Sequence, residues 1–233
     1  MSVLATHPTG REALDDHACD PAVVRATLAD IARSNWWFGG RAAVMRGVDR
    51  LRAAAGERTL TVLDVGAGAG DIVHHLAARA LRNGWTLRAI ALERHPEAAR
   101  LCRASGITTM LADAGALPIA TGGVDIVIAS QLLHHVERSA AVQLIRELDR
   151  VARIGVVIAD LRRTSAAALG IWLASFLLAF HPASRHDGVV SVRRGFSANE
   201  LAQLLATAGV AATVERRPQF RLLATWRRHD ARR

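Results

Sequence analysis

VLDVGAGAGD, residues 62–71, is a short apolar run that ends in an acid and then turns into glycine. Val62, Leu63 and Val65 give the continuous apolar pattern of a parallel strand buried on both faces. Gly66, Gly68 and Gly70 let the backbone turn sharply and approach a ligand where a Cβ would collide. An alanine- and leucine-rich helical pattern from Ile72 to Leu81 follows, so the loop faces a helix N-terminus. Strand, glycine loop and helix together predict a nucleotide-type pocket at the edge of an α/β sheet.

The spacing discriminates between pockets of this kind. A dinucleotide fingerprint is G-x-G-x-x-G and a phosphate loop is G-x-x-x-x-G-K-[ST]. Here the pattern is G-x-G-x-G, Asp71 stands where the third glycine would be, and the chain has no lysine. Asp64 and Asp71 would repel a pyrophosphate but suit a ligand with a positive ammonium or sulfonium and neutral hydroxyls. Downstream, the apolar run Leu87–Leu92 reads as a second strand ending in Glu93, where a carboxylate can accept the hydroxyls of a ribose.

The rest of the chain continues the alternation. Apolar spacing from Pro21 and again over about Arg41 to Ala55 predicts two N-terminal helices. Between them lies the aromatic cluster Trp36, Trp37, Phe38, which either covers the pocket or packs on the sheet edge. After Glu93 come a helix over Pro96 to Ser105, a strand over Thr108 to Ala112, a strand over Val124 to Ala129, a helix over Ala140 to Val151 and a fifth strand, Gly155 to Leu161. Arg153-Ile154-Gly155 reads as a tight turn before that strand. Ser197 and Glu200 form a capping box for a late helix ending near Gly209. Val210 to Arg216 and Phe220 to Trp226 read as a closing antiparallel pair around Pro218. The fold class is therefore α/β: a doubly wound, Rossmann-like seven-stranded sheet with an antiparallel last strand, N-terminal helices and an apolar cap helix. Residues 1–56 form a tail and helical cap, and 57–233 the main domain with a cap insertion at about 163–196.

Composition bounds the remaining classes. At 233 residues, half of them apolar, the chain can bury one full core. Two cysteines, Cys19 and Cys102, make no disulfide framework, and residues 1–18 lack a signal-peptide pattern, so a cytoplasmic protein is expected. The net charge of +9 comes from arginines spread along the chain without interleaved aromatics, which reads as composition bias rather than a nucleic-acid face. The uncharged run Thr164 to Phe180 is slightly short for a bilayer span, which needs about 20 residues. A span there would also split one sheet across the membrane. It reads as a cap helix over a lipophilic pocket, or as a peripheral membrane contact. Ser184 to Ser197, SRHDGVVSVRRGFS, reads as a polar loop at the mouth of the site.

Residues 62–71 resemble motif I of the class I S-adenosylmethionine-dependent methyltransferases, [VL]-L-[DE]-[VIL]-G-x-G-x-G. LPIATGGVDIVIASQLLHHV, residues 117–136, is similar to the LPF…FD…LHH-V stretch of ubiquinone- and menaquinone-type members, with Val124 in place of the usual Phe. The RHDG segment resembles a subgroup of small bacterial methyltransferases associated with polyketide or phenolic metabolism. The resemblance covers about Leu60 to Arg227. It implies S-adenosylmethionine as cofactor, held by Asp64, Gly66, Ala67, Gly68, Gly70, Asp71, Glu93, Arg94, Asp113, Ala114 and Gln131. It implies methyl transfer to a hydrophobic small molecule contacted by Trp37, Phe38, Trp172, Arg185 and Asp187. The proton would be taken by His134, with His135 or His186 as alternates, because histidine titrates near neutral pH. His74-His75 lacks ligand-spaced partners, and no metal is expected. An RNA-directed methyltransferase and an NAD-type oxidoreductase remain the competing readings, and the oligomeric state is open.

Overall fold

In the computed structural model, residues 12–16 and 18–228 are described; most of the N-terminal tail therefore lies outside the described residues, as do Arg232 and Arg233. A 3-10 turn, Ala13–Asp15, precedes helices α1 (Pro21–Trp37) and α2 (Gly40–Ala55). Asp20 caps α1 by accepting from Ala22 N, with Pro21 in the first turn where its missing N–H costs nothing. Then follow β1 (Thr59–Val65), α3 (Asp71–Arg82), β2 (Thr86–Glu93), α4 (Pro96–Ala104), β3 (Thr108–Leu111) and β4 (Val124–Ser130). The second half holds the 3-10 turn Leu133–His135, α5 (Arg138–Val151), β5 (Ala152–Leu161), α6 (Ser165–Leu177), α7 (Pro182–Arg194), α8 (Ala198–Ala208), β6 (Thr213–Arg217) and β7 (Arg221–Arg227).

The sheet order is β3-β2-β1-β4-β5-β7-β6, with β7 antiparallel to both neighbours. The order reverses between β1 and β4, so their C-terminal ends open a crevice at the switch point. Leu63, Val65, Val127, Ala129, Val156 and Ile158 pack one face of the sheet against α5 and α8. Val62, Ile126, Ile128 and Val157 pack the other against α2 and α3. Burial on both faces is why these strands read as unbroken apolar runs. Gly47 on α2 permits close approach to the sheet, since a Cβ there would lie within 3.1 Å of Val157 and Thr225 side-chain atoms.

Three local expectations are corrected. Residues 152–154 belong to β5, so α5 runs directly into the strand without the expected turn. The closing strands begin later than expected, and Val210 is outside β6. The RHDG segment is helix, not loop. His181 caps α7 by accepting from Ala183 N, Pro182 opens it, and Gly188 sits where a Cβ would come to 3.1 Å from Ile171 on α6. Gly188 reflects close helix packing, and Gly195 close approach to the β5 backbone at Leu161, rather than chain mobility. α6 and α7 form an antiparallel pair over the C-terminal edge of the sheet.

Candidate active site

A cavity of about 360 Å³ lies over the crevice between β1 and β4, roofed by α1, α6 and α7. At one end, β1 delivers Asp64 and the glycine loop. Asp64 is fully enclosed, and among the described residues neither of its carboxylate oxygens has a hydrogen-bond partner. Burial, reinforced by Asp71 and Glu93, pushes its pKa well above the ordinary range. A buried anion without a counter-ion is costly and calls for a cation in the space it faces. Gly66 and Gly68 have φ of +74° and +57°, and a Cβ on either would press on Leu132 or Leu28 at 3.0–3.1 Å. Gly70 does not face the cavity: its Cβ would collide with Ile107, so it is required by packing of the loop on the sheet.

Glu93, at the end of β2, accepts from Gly68 N (2.9 Å), Arg94 N (2.8 Å) and His95 N (2.9 Å). A carboxylate has about four acceptor positions, so three backbone donors leave Glu93 rigidly aimed, with room for about one more. The expected two-hydroxyl grip is thus narrowed. Arg94, Asp113 and Ala114 line the same end, and Asp113 accepts from Gly115 N at 2.7 Å. Asp71 accepts from Asn35 Nδ2 and Arg41 Nε. Gln131, strained at φ +53°, donates to Asn35 Oδ1 (2.6 Å) and accepts from Arg221 Nη1 (2.8 Å).

The other end is apolar, lined by Leu14, Ile31, Leu161, Ile171, Val192 and Phe220, and carries the titratable groups. His134 Nδ1 lies 2.7 Å from Asp160 Oδ1, which also accepts from Leu161 N; both side chains are buried. His134 Nε2 has no hydrogen-bond partner among the described residues. The Asp160 carboxyl is pushed up by burial, but the His134 charge and these hydrogen bonds outweigh that and hold it below the ordinary value. His135 stacks on His134 at 4.2 Å and meets Asp15 at 3.4 Å and Glu12 at 3.8 Å. Burial lowers its pKa, but the two acids raise it more. Arg194, buried on α7, pairs with Glu12 (3.0 Å) and Asp15 (3.3 Å). Asp187 accepts from Ala13 N, and burial raises its pKa to about 6.

Several anticipated side chains lie elsewhere. Trp37 and Trp172 are exposed, and only Phe38 of the aromatic cluster lines the cavity. Arg185 bonds the Phe180 carbonyl and stacks on Phe176, and His186 is exposed on the outer side of α7. Helical geometry explains the split: α7 turns Ser184, Asp187, Gly188 and Ser191 inward and Arg185 and His186 away. Arg221 and Asp160 were missed. Arg221 is buried, donates to the Phe38 carbonyl and Gln131, and among the described residues forms no ion pair. Burial brings its pKa down to about 10. No motif marks it, whereas Asp160, an acid at a strand end beside β4, carried a readable signal. No metal was expected, yet Glu12, His134 and His135 bring ligand-type atoms within 4.8 Å of one another. Arg194, Asp160 and Asp15 already engage these three.

Residues 62–155, from β1 into β5, match the family model described as a methyltransferase domain. That segment is similar to the methyltransferase domain family. Its fold is that of class I S-adenosylmethionine-dependent methyltransferases. A SAM-dependent methyltransferase from Aquifex aeolicus superposes with a TM-score of 0.61 at 16% identity, over 90% of this chain and 99% of that one. Magnesium protoporphyrin IX methyltransferase from Synechocystis PCC 6803, with bound SAH, gives 0.56 at 16% identity over 82% and 84%. The citrinin polyketide synthase CMeT domain gives 0.53 at 13% identity, over 72% of this chain and 46% of that one. At such identities the likeness is one of fold. No curated protein matches the chain. S-adenosylmethionine is the cofactor of this domain class, and the pocket fits it. Among the described residues the Asp64 carboxylate has no partner, the glycine cradle admits no side chain, and Glu93 closes the same end of the cavity from the end of β2.

Proposed function

We propose that the protein transfers a methyl group from S-adenosylmethionine to a hydrophobic small molecule bearing an ionisable hydroxyl, phenolic or polyketide- or quinone-like, with His134 as general base. The carrying observation is that one cavity holds both the unpartnered Asp64 carboxylate and the unpartnered His134 Nε2. S-adenosylmethionine supplies an electrophilic methyl on a sulfonium, open to in-line displacement. Asp64, Glu93 and the glycine loop fix its ends, so that much of the rate comes from alignment. Asp160 holds His134 with Nδ1–H as donor, leaving Nε2 as the proton acceptor. As the acceptor's proton moves to Nε2, the imidazolium forms beside a carboxylate that stabilises it. The apolar end of the cavity excludes water and favours a ring or acyl chain over a sugar or peptide. Oxygen and activated carbon both suit such a base.

The test is binding and turnover measured separately. Calorimetry should detect S-adenosylmethionine binding to wild type and to His134→Gln alike. Transfer of labelled methyl to a panel of phenols and β-diketones should be slowed at least about 100-fold in the variant. Full activity of His134→Gln would remove the base, and no cofactor binding to wild type would remove the reading altogether.

A further inference from the structure

α6 is apolar on both sides. Ala167, Gly170 and Ile171 border the cavity. On the opposite side Leu169, Trp172, Leu173, Phe176 and Leu177 are between 46% and 87% exposed. At about 100° per residue these five fall within roughly 140° of the helix circumference, forming one contiguous stripe. Single exposed leucines need no explanation, but a patch of several hundred Å² marks a contact surface. Among the described residues no helix is long and apolar enough to cross a membrane.

We propose that this face of α6 docks on an anionic lipid surface. Three features select that occupant. Trp172 packs edge-on against Phe176 at 5.1 Å while remaining half-exposed, the placement an amphipathic ring takes at a bilayer interface. Arg185 borders the stripe and stacks on Phe176 at 4.5 Å, and Arg33, paired with Asp30, donates to the Leu178 carbonyl at the helix end while stacking on Phe180 at 5.0 Å. The Arg185 charge belongs to a chain with net +9, complementary to acidic headgroups. Finally, five exposed side chains on one 13-residue helix are few beside the about 20–30 residues a side of a standard protein interface. It matches the shallow insertion of an interfacial helix. Because the inner side of the same helix borders the cavity, a lipophilic acceptor dissolved in the bilayer would reach the site past α6. That last link rests on the proposed acceptor class; the docking does not.

The experiment is flotation with unilamellar vesicles of phosphatidylcholine alone or mixed with phosphatidylglycerol, at about 0.15 M salt. Wild type should float with the mixed vesicles and at least about tenfold less with phosphatidylcholine. Leu173→Glu/Phe176→Glu should abolish flotation while leaving the melting temperature and S-adenosylmethionine affinity unchanged, because both side chains face away from the core. Arg185→Gln should weaken binding to the mixed vesicles only. Failure of wild type to float, or equal flotation of the double variant, would overturn the proposal. A concentration-dependent dimer in sedimentation that the double variant abolishes, without vesicle binding, would instead assign the face to a second copy. Cofactor affinity in the same samples keeps these outcomes separate from the methyltransferase reading.

Discussion

Replacing Asp160 with Asn isolates the charge that the buried pair supplies. The Leu161 N–H points at Oδ1 from 2.7 Å, so an asparagine must keep its carbonyl oxygen there, and that oxygen can still accept from His134 Nδ1. The tautomer and ring position are retained while the negative charge is lost. Two charges about 4 Å apart in an environment of effective dielectric about 20 interact by about 4 kcal/mol. At about 1.36 kcal/mol per factor of ten, kcat should fall about 1000-fold. The new amide NH₂ occupies the place of Oδ2, which has no hydrogen-bond partner among the described residues, and an unsatisfied buried donor costs about 1–3 kcal/mol of stability. For a chain of this size that lowers Tm by about 2–12 °C. The assay is single-turnover transfer of labelled methyl to any acceptor the wild type uses, with cofactor affinity measured alongside by calorimetry. A kcat within about threefold of wild type in a folded variant would refute the dyad. A matching fall in cofactor affinity would move the effect to binding.

Asp64→Asn should weaken S-adenosylmethionine at least about tenfold in calorimetry, because it removes the buried carboxylate proposed to face the ammonium; unchanged affinity would discard its role. Gly70→Ala should cost about 2–4 kcal/mol in denaturant unfolding, from the collision with Ile107 at a left-handed φ of +84°. Arg194→Met should destabilise by about 3–5 kcal/mol, since it strands Glu12 and Asp15 beside His135. Asp187 has its folded pKa raised to about 6, so the stability linked to it is present below its unfolded value near 3.8 and lost as pH rises through about 6. Asp187→Asn should therefore raise stability by about 1–2 kcal/mol at pH 8, after discounting for partial solvent screening, and by nothing at pH 4. A gain that does not depend on pH would contradict this. Asp160 acts in the opposite sense: its lowered pKa contributes above about 3.8 and is lost only on further acidification.

What the chain determined by itself is local. β1, the glycine loop and α3 are contiguous, and their spacing places Asp64, Gly66 and Gly68 at a cavity whatever the remainder does. The capping box of α8 is likewise read correctly, Glu200 N donating to Ser197 Oγ and Ser197 N to Glu200 Oε2, because both partners lie within one turn. What only the tertiary structure decided depends on distant pairs. His134 becomes distinct from His135 through Asp160, 26 residues on, and Arg221 enters the site through Gln131, 90 residues away. The RHDG segment is polar enough to read as a loop. It is a helix because Asp187 and Arg194 are satisfied by Ala13, Glu12 and Asp15, more than 170 residues away, and because Gly188 packs on α6. Buried polar groups carry no periodic signal of their own. Their partners are chosen by the fold, and those partners decide which side chains face the cavity.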